Sequence, residues 1–190
     1  AQTAQESGAD LIGFVFAASR RQIDVTLAAE ICRSVSGPAK VGVFVNQPLE
    51  DVNAIASQCQ LDYIQLHGDE PAEYRRNLNR PLIRAVRVGP GLKPEDFESD
   101  SPDWLLLDSF VVGQPGGTGV TFDWQAISRP RQKFFVAGGL NADNVADAIR
   151  ILRPDGVDVS GGVEPDGVKE LEKIRQFIAA ARAAERNFSC

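Results

Sequence analysis

The 190 residues include 43% hydrophobic and 24% charged side chains, and the net charge is −6. This length supports one sizeable core and not two comfortable domains, so a single domain over 1–190 is expected. The acidic balance, with no basic run interleaved with aromatics, argues against a nucleic-acid surface. Apolar runs such as Leu11–Ala18 fall far short of the roughly 20 residues of a membrane helix.

The chain opens on AQTAQESGAD, a polar, helix-like stretch with no visible secretory leader. Its three cysteines, Cys32, Cys59 and Cys190, form no CxxC pair and no disulfide framework. Such sparse usage suits a reducing cytoplasm, and Cys32 and Cys59 read as small buried fillers. With His67 as the single histidine, no metal site is expected.

From there, short apolar runs alternate with amphipathic segments. The runs are LIGFVF (11–16), VGVFV (41–45), YIQL (63–66), LIRAV (82–86), WLLL (104–107), FFVA (134–137) and VDVS (157–160). They are short, nearly continuous in hydrophobicity and rich in branched and aromatic residues, as strands of a parallel sheet covered on both faces are. Between them, helices are expected over Val25–Val35, Leu49–Gln58, Pro71–Leu78, Asn141–Leu152 and Val168–Ala184. Asn46 and Pro48 open the second, Asn141 and Asp143 read as caps of the fourth, and Pro154 with Gly156 stops it.

Such alternation leaves two α/β architectures, a doubly wound open sheet or a (β/α)8 TIM barrel. A doubly wound domain usually carries its phosphate loop after the first strand. Here the glycine clusters follow the last strands, which favours the barrel. One strand is wanting and the chain starts on a helix, so strand 1 of the barrel is expected to be absent from these residues.

Three glycine clusters stand out: Gly116-Gly117-Thr118-Gly119, Gly138-Gly139 and Gly161-Gly162. The last two are near copies, each an apolar strand, a small residue (Ala137 or Ser160) and a glycine pair. Glycine lets backbone N–H groups close on an anion, and the loops after barrel strands seven and eight commonly hold phosphate. Tight turns are the plainer explanation for one pair, but not for two matched pairs at consecutive strand ends.

Asp108 ends WLLLD, where barrel enzymes place catalytic groups, and it can be a general acid or a loop salt bridge. Asp158 lies inside an apolar strand, so it needs a partner, either a substrate group or an arginine. Arg20 and Arg21 follow a strand end and can offer a bidentate pair to a carboxylate. His67 also sits at a strand end, where position alone gives it no acid–base role.

Taken in order, GADLIGFVF, VGVFVN, IQLHGDE, LLLDS, GGTG-x-TFDW, GGLN-x-x-NV and RPDGVDVS-x-GVE resemble the phosphoribosylanthranilate isomerases, from Gly8 to about Ala181. The resemblance implies a cofactor-free Amadori rearrangement of N-(5′-phosphoribosyl)anthranilate in tryptophan biosynthesis. It implies Asp108 as general acid, and Arg21, with Arg20 adjacent, as the clamp on the anthranilate carboxylate. It places His67 and Asp158 near the substrate and gives the phosphate to Gly138, Gly139, Ser160, Gly161 and Gly162. The partner it implies is a small phosphorylated molecule, for a monomer or homodimer with no membrane or nucleic-acid ligand.

Two departures accompany it. The family's general base, a cysteine in a KICG-type motif on strand one, matches no residue here. Gly161 also stands where a second serine is usual, a loss on the order of 1 kcal/mol for one hydrogen bond. The alternatives are a truncated, non-catalytic phosphosugar-binding barrel and a different phosphosugar barrel. A metal-dependent epimerase is disfavoured by the single histidine.

Overall fold

The computed structural model describes residues 1–89, 102–109 and 121–186. The Gly116–Gly119 cluster and Cys190 lie outside the described residues. The strands are β1 (Leu11–Val15), β2 (Ala39–Phe44), β3 (Tyr63–Leu66), β4 (Leu82–Val88), β5 (Trp104–Ser109), β6 (Phe134–Val136) and β7 (Gly156–Val157). Their order in the sheet is β1-β2-β3-β4-β5-β6-β7. Each strand neighbours the next in sequence and the order never reverses. A doubly wound sheet needs such a reversal, so the topology is that of the (β/α)8 class.

Two compact units make up the chain, Ala1–Ala85 and Val86–Cys190. In the first, α1 (Gln2–Glu6) precedes β1, and α2 (Val25–Ser34), α3 (Leu49–Gln58) and α4 (Ala72–Arg76) follow β1, β2 and β3. The pairs are parallel, with Phe14 opposite Gly42, Val43 opposite Gln65 and Gln65 opposite Ile83. Asp24 caps α2, its Oδ1 accepting the Thr26 and Leu27 N–H groups at 2.9 and 3.1 Å, a contribution of about 1 kcal/mol. That start turns Ala28, Ala29 and Cys32 inward onto Phe14, Phe44, Ile64 and Leu66. The Phe16 and Phe44 rings stack with centroids 5.2 Å apart.

In the second unit, α5 (Val145–Leu152) and α6 (Leu171–Arg186) follow β6 and β7, and short 3-10 turns occupy Trp124–Ala126, Gly161–Val163 and Pro165–Gly167. Leu105, Leu107, Phe134 and Val136 pack with Val145, Ala148, Leu152 and Phe177, and Val157 and Val159 join from the end of the sheet. Burying one such side chain contributes about 1.5–3 kcal/mol.

Three expected helix starts shift, each for a local reason. Pro71 stands before α4 as its N-cap rather than inside it. Asn144, not Asn141 or Asp143, is the N-cap of α5. The Asn141 side chain instead closes a turn ahead of the helix, its Oδ1 accepting the Asp143 and Asn144 N–H groups at 2.8 and 3.1 Å. Val168 is extended, because Asp166 (φ 55°) and Gly167 (φ 81°) turn the chain left-handed before α6 begins at Leu171.

Candidate active site

Strand pleating decides which side chains are available for chemistry. Successive residues alternate between faces. In the second unit Leu105 and Leu107 join the helix-side core, so Leu106 and Asp108 point to the other face. Asp108 is the penultimate residue of β5, and only 7% of its surface is exposed. Ser109 follows it and is equally enclosed. Gly138, at the end of β6, has φ +81°, and a Cβ there would overlap both the hydroxyl and the backbone nitrogen of Ser109. The glycine is thus required by conformation and by space, and it brings the β6 loop onto the strand end that carries Asp108.

The two expected anion loops also touch. Gly139 has φ +66°, and its carbonyl accepts the Asn144 amide at 3.0 Å. Asn144 Oδ1 in turn accepts the Asn141 N–H at 2.8 Å. A Cβ at Gly162 would overlap the Leu140 carbonyl oxygen, so the β7 loop is seated on the backbone of the β6 loop. The structure therefore seats Gly162 on the backbone just beyond Gly138 and Gly139. Ser160 and both glycines of the second pair are half-buried.

Asp158 departs from expectation. β7 ends at Val157, and Asp158 is exposed instead of buried in a strand. Its N–H still donates to the Val136 carbonyl at 2.9 Å. Its neighbours Val157 and Val159 take the helix side, which turns the carboxylate to the other face.

In the first unit, Arg21 is half-buried and Arg20 exposed in the loop after β1. The Arg21 N–H donates to Ser19 Oγ at 3.2 Å, and the Gln22 amide donates to the Phe16 carbonyl at 3.1 Å. His67 follows β3, with its N–H on the Phe44 carbonyl at 3.0 Å. Its ring Nδ1 lies 3.4 Å from Nε2 of the buried Gln65, on the same face of the strand. The loop beyond is pinned to the end of β2. Glu70 Oε1 accepts the Asn46 N–H, and Asn46 Oδ1 accepts the Asp69 N–H, both at 2.8 Å. Gly68 fits there because a side chain would overlap Asn46.

Gln65, Glu70 and Glu164, all buried polar residues, were not singled out from sequence. Their signal was present in IQLHGDE and GVE, where a carboxylate or amide next to glycine at a strand end has little room to reach water. Cys32 and Cys59 are free and buried, as fillers should be. Burial, with Cys59 and Asp62 nearby, pushes the Cys32 thiol up to about 11 against the lowering effect of Lys40. Burial likewise raises Cys59, so neither thiol is poised to act as a base at neutral pH. Among the described residues no His, Cys, Asp and Glu side chains cluster to hold a metal ion, and no helix is long and apolar enough to cross a membrane.

The sequence model of the family described as N-(5′-phosphoribosyl)anthranilate (PRA) isomerase matches residues 1–180. An N-(5′-phosphoribosyl)anthranilate isomerase of Listeria monocytogenes is 43% identical over 186 residues, covering 96% of this chain and 92% of the relative. The crystal structure of the Thermotoga maritima phosphoribosyl anthranilate isomerase superimposes with a TM-score of 0.85 at 38% identity, covering 96% of this chain and 92% of that one. A further isomerase structure holds reduced 1-(o-carboxyphenylamino)-1-deoxyribulose 5-phosphate; it superimposes at 0.82 with 36% identity and the same coverage. The chain belongs to the N-(5′-phosphoribosyl)anthranilate isomerase family.

Proposed function

We propose that Asp108 is the general acid of this isomerase. The reaction of the family, and of this chain, converts N-(5′-phosphoribosyl)anthranilate to 1-(2-carboxyphenylamino)-1-deoxyribulose 5-phosphate in tryptophan biosynthesis. An acid protonates the ribose ring oxygen, the C1′–O bond breaks, and the nitrogen lone pair forms a protonated Schiff base. A base then takes the proton from C2′, and the enolamine tautomerises to the ketone. The observation that carries the assignment is the position of Asp108, enclosed at the carboxyl end of β5 on the face away from the helices, one residue from the contact with Gly138. A carboxyl group at the carboxyl end of a barrel strand stands where substrate binds and is placed to donate a proton.

The rest of the substrate follows from its charges. Arg21 takes the anthranilate carboxylate in a bidentate pair, His67 and Asp158 border the sugar and amine, and Gly138, Gly139, Ser160, Gly161 and Gly162 cradle the phosphate with backbone donors. The base is assigned to no residue between 1 and 190; Cys32 on α2 and Cys59 at the end of α3 are buried in the core of the first unit, and that burial raises both thiols. The chemistry needs no cofactor. The sparse cysteines and the biosynthetic role suit one cytoplasmic domain, as a monomer or a homodimer. Steady-state turnover of Asp108→Asn tests the reading: a loss of at least about 100-fold is expected, and near-normal turnover removes Asp108 from the mechanism.

A further inference from the structure

An ion pair between a buried carboxylate and a half-exposed ammonium closes the β7 loop. Glu164 follows the turn Gly161–Val163, and its side chain is 3% exposed; its Oε1 lies 2.7 Å from Nζ of Lys169, whose own side chain is 50% exposed. The same ammonium lies 3.5 Å from the carbonyl oxygen of Ser160. Lys169 thus reaches both ends of the segment Ser160–Glu164. Inside the segment the Glu164 N–H donates to the Gly161 carbonyl at 3.0 Å, and the Glu170 N–H returns to the Val163 carbonyl at 2.9 Å. Gly162 in addition rests on the Leu140 carbonyl with no space to spare. The loop is thus in contact with the β6 loop and with a charge pair that takes no part in the proposed chemistry.

We infer that Glu164 and Lys169 are positioning residues for phosphate, fixing the backbone donors of Ser160, Gly161 and Gly162 by clamping the two ends of their loop. This rests on the reading of those residues as part of the phosphate cradle. Two physical arguments support it. A glycine pair without side chains has no conformational stiffness of its own, so donors aimed at an anion must be held from outside. A carboxylate buried to this degree is costly unless its partner is present, so the pair resists opening and transmits its geometry to the loop. Gly161 sharpens the requirement, because no hydroxyl is available there to supplement the backbone donors.

The test is the affinity for two small probes, inorganic phosphate and anthranilate, measured by calorimetry on the wild type and on Lys169→Met, Lys169→Arg and Glu164→Gln. Lys169→Met changes a half-exposed residue and is expected to fold. The expected result is phosphate binding weakened about tenfold in Lys169→Met and Glu164→Gln, restored to within about threefold in Lys169→Arg, with anthranilate binding unchanged. A pair that only stabilises the fold would lower the melting temperature and leave the phosphate affinity of the folded protein as it is, which would overturn the inference. Phosphate bound equally by all four proteins overturns the clamp and keeps the cradle. Phosphate bound by none, the wild type included, overturns the cradle and the clamp with it.

Discussion

Gly138 and Ser109 meet with no room for a side chain on the glycine: a Cβ at 138 would overlap the Ser109 hydroxyl and its backbone nitrogen. Since Ser109 follows Asp108 in β5, this contact ties the Gly138-Gly139 loop, the first part of the proposed phosphate cradle, to the strand end that carries the proposed acid.

Gly138→Ala is therefore expected to be a severe substitution. The positive φ alone costs about 1–3 kcal/mol for a residue with a Cβ, and the overlap adds to it. Adding Ser109→Ala should rescue little, because the backbone nitrogen remains in the way. Urea midpoints of the single and double variants decide this; full rescue would show that the hydroxyl was the only obstacle.

The β3 loop offers a separate prediction. Glu70 accepts the Asn46 N–H at 2.8 Å, and the Tyr74 hydroxyl donates to the Gln47 carbonyl at 2.8 Å, both binding the loop to the end of β2. Glu70→Ala is expected to cost about 1–3 kcal/mol and to move the His67 ring resonances. Unmoved resonances would show that the position of His67 does not depend on this network.

Stability should also fall in alkali. The Cys32 thiol is raised from 9.0 to about 11 in the folded chain, chiefly by burial. Between these values the unfolded chain has lost the proton and the folded chain keeps it, so rising pH favours unfolding. This contribution is fully present below pH 9 and is lost as the pH passes through about 11. Denaturation at pH 8, 9 and 10.5 should show the fall, and Cys32→Ala should flatten part of it. An unchanged slope in that variant would assign the alkaline loss to other groups. Tyr74, pushed up to about 12 by burial and by Glu70 and Asp51, adds a component of the same sign.

Much of this was legible in the sequence because hydrophobic continuity marks strands covered on both faces. Six of the expected strands are present with small shifts, the seventh shortens to Gly156–Val157 and shares only Val157 with its expected span, and α3 spans Leu49–Gln58 as read. What was not legible depended on how side chains in the loops turn, which periodicity does not encode. Asn144 is occupied with the Gly139 carbonyl, which no local cap rule foresees. Asp158 reads as part of a buried strand because its neighbours are valines, yet β7 ends at Val157 and Asp158 is exposed. Glu164 reads as one more surface acid until the fold closes Lys169 over it.

Asp108 and Asp158 are proposed to have different tasks, and one pair of variants separates them. Single-turnover rate and affinity for a reduced product analogue would be measured for Asp108→Asn and Asp158→Asn together. The account predicts that Asp108→Asn loses at least about 100-fold in rate and keeps analogue affinity within about tenfold, whereas Asp158→Asn loses affinity more than rate. Near-normal turnover in Asp108→Asn would contradict it, because the ring oxygen would then be protonated by another group.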